Sequence, residues 1–109
     1  MGTIVKSYIK SRNVSGGEAV LASRLFKEGK TPQHVDAYLL SIGSEAVESY
    51  IFEQSTGNIR HHMNLISHVI KEELLTSPEK DKAEEKLKEL EVKYRLFKET
   101  GFPGISERD

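Results

Sequence analysis

The sequence holds four histidines, and three of them, His61, His62 and His68, fall within one segment of helical periodicity. Imidazole is the side chain best suited to bind transition metals and move protons near neutral pH. Here the spacing works against both. His61 and His62 are adjacent and diverge around a helix. His61 and His68 share a face, but the helical rise puts them about 10 Å apart, too far to ligate one ion. There is no His-x-x-x-His pair and no cysteine to complete a tetrahedral set. These side chains read as surface or packing histidines, and neither a metal nor a cofactor is expected. The carboxylates Glu72-Glu73 and Glu84-Glu85 are sequence neighbours, so each pair splays around its helix rather than converging for acid–base work. No serine stands in a nucleophile-elbow context. Gly16-Gly17 is too short to cradle a phosphate. Arg60-His61-His62, beside a helix N-terminus, offers an anion some free amides, but such residues equally solvate a surface. With no converging polar site, the chain is expected not to be an enzyme.

The N-terminal segment carries a different chemistry. Residues 3–10 are rich in β-branched and aromatic types and read as a strand, with Val5, Ser7 and Ile9 on one face and Lys6, Tyr8 and Lys10 on the other. A lone strand must find a partner. Two such strands paired across a dimer would form a ribbon of the size that enters the major groove of DNA, with the lysines and Arg12 on phosphates. The same segment also reads as an ordinary edge strand or a basic arm.

Bulk composition frames these alternatives. The 109 residues suit one domain, and 37% hydrophobic against 30% charged content implies a thin core. Burial of part of the apolar surface by a partner chain, and hence a homo-oligomer, is the expectation. No cysteine means no disulfide framework. No apolar run has the length of a signal peptide or membrane span, so a cytoplasmic protein without membrane contact is expected. The net charge of -1 argues against broad electrostatic binding of nucleic acid. Its distribution is uneven: residues 1–30 are mainly basic, 31–57 carry acidic residues only, and 76–109 mix both signs finely.

Helical signals organise the rest. Ser15-Gly16-Gly17-Glu18 reads as a capping box opening a helix over 16–28, with Leu21, Ala22, Leu25 and Phe26 as its apolar stripe and Gly29 as its stop. Thr31-Pro32 opens the next, in which Val35, Tyr38, Leu39 and Ile42 recur at helical spacing until Gly43. Ser44 caps a third helix with the stripe Ala46, Val47, Tyr50 and Ile51, broken by the polar run 54–57. A fourth spans 58–75 through Ile59, Met63, Ile66 and Ile70, widened by Leu65 and Val69. Ser77-Pro78 caps a fifth over 78–99. There, Ala83, Leu87, Leu90, Tyr94 and Phe97 step by four, three, four and three, a heptad seam about two repeats long. A short break between the last two helices predicts an antiparallel hairpin. Leu87, Leu90, Tyr94 and Phe97 then either pack within the chain or hold a partner helix. The expected fold is mainly α: one domain over 1–104, made of an N-terminal strand and three helices to residue 54 and a hairpin over 58–100, with a disordered tail at 105–109.

The order of strand 3–10, helix 16–28, turn Gly29-Lys30-Thr31 and helix from Pro32 resembles the ribbon-helix-helix family of MetJ- and Arc-type DNA-binding proteins, over about residues 3–42. The resemblance implies an intertwined dimer that reads double-stranded DNA through outward strand residues, here Lys6, Tyr8 and Lys10. It also implies that Thr31 and the amides near Pro32 lie close to backbone phosphate. A helix-turn-helix reading of 31–51 would instead set Glu45, Glu48 and Glu53 against phosphate, which disfavours it. The leading functional expectation is a small oligomeric DNA-binding transcriptional regulator. The alternative, resting on the thin core, near-neutral charge and heptad helix, is a non-enzymatic protein-binding inhibitor or adaptor acting through its helical surface.

Overall fold

The computed structural model describes residues 2–54 and 59–100. Among them are six helices: α1 Gly2–Arg12, α2 Gly17–Lys27, α3 Pro32–Ser41, α4 Glu45–Gln54, α5 Ile59–Glu72 and α6 Ser77–Thr100. No strand occurs among the described residues. The strand expected over 3–10 is corrected to the helix α1, and the fold is all-α. The reason lies in what α1 buries. Val5, Tyr8, Ile9 and Arg12 are its partly or fully buried residues, and their spacing is that of one helical face. β-Branching at Thr3, Ile4 and Val5 penalises a helix by only a few tenths of a kcal/mol per residue. Burying an aromatic side chain such as Tyr8 returns about 1.5–3 kcal/mol. On the helix, Lys6 and Lys10 stay on an exposed face while Tyr8 turns inward, so the alternation that suggested a strand face does not exist. The ribbon that the ribbon-helix-helix resemblance implies needs that strand.

Three helices end by the same device. Asn13 (φ 57°), Gly29 (φ 90°) and Gly43 (φ 86°) take left-handed backbone. The next amide in each case returns to a carbonyl five residues back: Val14 to Ile9, Lys30 to Leu25 and Ser44 to Leu39, each at 3.1 Å. The helix starts vary. The capping box at Ser15 does not form, because the N-cap falls on Gly16 and carries no side-chain bond. Thr31 caps α3 by accepting the His34 amide, with Pro32 in the first turn. Ser44 accepts the Val47 amide at 3.4 Å. The cap of α6 lies one residue earlier than Ser77. The Thr76 amide donates to Glu79 Oε1 at 2.9 Å and the Glu79 amide to Thr76 Oγ1 at 3.5 Å, a reciprocal box. Arg24 of α2 donates to the same Glu79 oxygen at 2.9 Å and ties α2 to this corner.

α3 is the centre of the molecule. It packs against α2, α4, α5 and α6, and residues 35–41 are buried without a break. A one-sided stripe of Val35, Tyr38, Leu39 and Ile42 understates this, since a helix wrapped by four others is buried all round. α5 and α6 form the broadest helix–helix contact. α5 turns Ile59, His62, Ile66 and Val69 into the core, with Met63 and Ile70 at its flanks. α6 contributes Ala83 and Leu90 as buried residues, with Leu87 and Tyr94 packed beside them. The expected tail at 105–109 and most of the polar run 54–57 lie outside the described residues.

Glu73, just past α5, also has left-handed backbone, at φ 58°. That conformation costs a β-carbon-bearing residue roughly 1–2 kcal/mol, part of which glycine's extra unfolded-state freedom offsets. Glu73→Gly is therefore expected to raise Tm by about 2–6 °C in a thermal melt followed by circular dichroism. An unchanged or lowered Tm would show that the strain is not there.

Candidate functional site

Asp36 sits in the middle of the buried helix, 8% exposed, and a carboxylate in that position must be paired. α1 supplies the partners. The Tyr8 hydroxyl donates to Asp36 Oδ1 at 2.5 Å, Arg12 Nε donates to the same oxygen at 2.9 Å, and a terminal guanidinium nitrogen donates to Oδ2 at 3.0 Å. The guanidinium also lies over the Tyr8 ring at 4.5 Å and the Tyr50 ring at 4.3 Å, which brings in α4. Burial, reinforced by Asp36, pushes the Tyr8 hydroxyl far above its usual range, so it stays a donor at any physiological pH. The bond to Asp36 raises Arg12 as well, against the effect of burial.

This node decides where the residues expected at a nucleic-acid surface stand. Tyr8 and Arg12 come together, but inside the fold. Lys6 and Lys10 are exposed on the opposite face of α1. Thr31 is spent on the cap of α3, and its Oγ1 also lies 2.9 Å from His34 Nδ1. Of the seam residues, Leu90 is buried and Leu87 and Tyr94 are partly buried against the core; the side chain of Phe97 lies outside the described residues. Removing one member of a buried pair leaves the other charge uncompensated. Arg12→Met is expected to lower the unfolding free energy by about 3–5 kcal/mol in urea, and Arg12→Lys, which lacks the planar fork, should recover little of it. A loss below about 1 kcal/mol, the range of a surface pair, would contradict the node.

A groove of about 860 Å³ runs between α4 and α6, with Ile42 and Gly43 at one end. Glu45 and Glu48 form one wall; on the other, Glu85, Glu89 and Val92 stand among four lysines, Lys82, Lys86, Lys88 and Lys93. Lys86 Nζ bridges to Glu48 Oε1 at 3.0 Å. A second depression of about 520 Å³ shares Glu45 and Glu48 and continues along α4 to Phe52. Glu45, Glu48 and Phe52, spaced three and four apart, lie on one face of α4. No family model matches the chain, and no curated protein or solved structure matches it.

Behind the groove lies His62, only 3% exposed, with no hydrogen-bonding group in reach of Nε2 among the described residues. Its ring meets the Phe52 ring edge-on at 6.4 Å. Burial lowers its pKa; Glu48 opposes the shift, and His61 and Lys86 add to it. The unfolded chain therefore takes up this proton at a higher pH than the folded one. Stability is full above the ordinary value of 6.5 and falls as pH drops below it. Urea midpoints at pH 7 and pH 5 are expected to differ less in His62→Leu than in the wild type; an equal difference would assign the acid sensitivity elsewhere.

A second polar cluster joins α3 to the end of α5. Glu72 Oε1 accepts from the Tyr38 hydroxyl and from Lys30 Nζ at 3.4 Å, while Oε2 lies 2.9 Å from His68 Nε2. The Tyr38 bond, with Lys30 and His68, holds the Glu72 carboxyl below its usual range against the effect of burial. His34 completes the group: one ring nitrogen each of His34 and His68 and one oxygen of Glu72 lie within 4.8 Å of one another. Histidine spacing along one helix does not reveal this cluster. His68 and Glu72, four apart, carried half the signal. His34 arrives from another helix.

Proposed function

We propose that this protein is a non-enzymatic interaction module that binds an amphipathic helix of a partner protein along the face formed by α4 and α6. The observation that carries the reading is the apolar surface left over after packing. Leu90 of the α6 seam is buried with Leu87 and Tyr94 packed beside it, yet Val92 (49% exposed) and Leu96 (52%), four residues apart, lie on exposed surface, and Phe52 (44%) stands out from α4. Two apolar anchors at helical spacing beside a charged groove are what a docked helix requires. The α4 wall is acidic and the α6 wall mixed, so basic residues on the partner would face α4.

The groove's four glutamates balance its four lysines, so it offers phosphate no net positive surface, and Lys6 and Lys10 are on α1, away from it. A strand-borne DNA contact is not part of the reading. A second copy would use the same face: an antiparallel pairing of two α6 helices centred on Val92 would set Glu89 of one copy opposite Arg95 of the other.

Photo-crosslinking side chains placed at Val92 and at Phe52, in the cells that make the protein, test this. Both positions are expected to give the same discrete adduct, lost on Leu96→Glu. Its mass separates a partner protein from a second copy. Absence of an adduct at both positions, or the same adduct from a crosslinker at Lys10, would contradict the reading.

A further inference from the structure

We propose that His34, His68 and Glu72 form a binding site for a divalent transition-metal ion of the zinc type. Its donors come from two helices, the first turn of α3 and the last turn of α5. One donor atom of each lies within 4.8 Å of the other two. Donors of a tetrahedral zinc site, each about 2.1 Å from the ion, stand about 3.4 Å apart. His68 Nε2 and Glu72 Oε2 are 2.9 Å apart, slightly closer than that, and His34 stands within 4.8 Å of both, so the set forms by side-chain adjustment without moving the helices.

The neighbouring groups prepare two of the donors. The Nδ1 of His34 lies 2.9 Å from Thr31 Oγ1. In the tautomer whose Nδ1–H donates to that oxygen, the lone pair is left on Nε2, the arrangement in which a metal-ligating histidine is held by its other nitrogen. Thr31 is itself fixed, because its hydroxyl oxygen also accepts the His34 amide. Glu72 is divided in the same way: Tyr38 and Lys30 occupy Oε1, and Oε2 faces His68. His34 and Glu72 are thus oriented by a cap, a phenol and an ammonium that leave their donor atoms open, while His68 Nε2, now against Glu72 Oε2, exchanges that contact for the ion.

The donor set selects the ion. Two imidazoles and a single carboxylate suit zinc, cobalt, nickel and copper; calcium and magnesium demand more oxygen ligands. Three protein ligands leave a fourth position for water or a further ligand. His34 is exposed and His68 is 58% exposed, so the ion enters from solvent without opening the fold. The Lys30 ammonium on the neighbouring oxygen weakens a cation's hold, which makes this an exchangeable site rather than a structural one. The site shares no residue with the α4–α6 groove, and it stands or falls independently of the partner-binding reading.

The test is calorimetric titration of the full chain with Zn²⁺ in a chelator-stripped buffer, with thermal melts alongside. The expected result is one ion per chain, a Tm that rises with Zn²⁺ and falls back with chelator, and affinity reduced by about tenfold or more in each of His34→Ala and His68→Ala. His61→Ala should leave the binding unchanged. Both ligand positions are exposed, and His34→Gln with His68→Gln provides a second pair if an alanine variant melts early. Absence of stoichiometric binding overturns the proposal, as does binding that His34→Ala and His68→Ala leave intact, which would make the ion adventitious.

Discussion

A carboxylate in the middle of a packed helix is tolerable only if a cation and hydrogen-bond donors reach it, and the position of Asp36 imposes that demand on the whole N-terminal half. The side chains that meet it, Tyr8 and Arg12, are one turn apart on α1. They converge on one carboxylate only if residues 8–12 are helical. Arg12 is in turn flanked by the rings of Tyr8 and Tyr50, which sets α4 against α1. One buried charge thereby fixes where α1 and α4 lie around the central helix. Such a node is a demand for specificity more than a source of net stability, since burying both charges costs much of what their attraction returns.

The sequence was most legible where local chemistry and packing agree. Gly29, Gly43 and Thr31-Pro32 mark helix ends with devices that act within a few residues, and the segments between them carry apolar spacing of helical period. It was least legible where the deciding interaction is distant. β-Branched residues at 3–5 favour a strand when no partner is in view, but Tyr8 and Arg12 answer to Asp36, over twenty residues away. The helical spacing of Val5, Tyr8, Ile9 and Arg12 was present beside the period-two pattern, and the lone acid of α3, set within its apolar run, was the cue that chooses between them. At the start of α6, Thr76 and Glu79 at capping-box spacing were readable. The meeting of His34 with His68 was not, because it depends on how α3 lies on α5.

The finished fold separates its polar resources by face. The interior of α1 and α3 consumes Tyr8, Arg12 and Asp36. The corner between α3 and α5 collects two imidazoles and one carboxylate. The α4–α6 face keeps a groove walled by Glu45, Glu48 and Lys86, with Val92 and Phe52 at its margins. α6 serves both requirements, burying Ala83 and Leu90 on one side and presenting Val92 on the other. Its length, about 36 Å at the helical rise, lets one helix close the core and present a surface. A basic N-terminus looks like an outward-facing ligand surface in one dimension, whereas in three its most distinctive residues are structural.

The account turns on residues 3–12 being a helix clamped from within, and backbone ¹³Cα chemical shifts of the full chain read that directly. Helical shifts are predicted without interruption from Thr3 to Arg12 in the wild type. Extended-type shifts across residues 3–10 would contradict the account and return this segment to the role of an exposed strand.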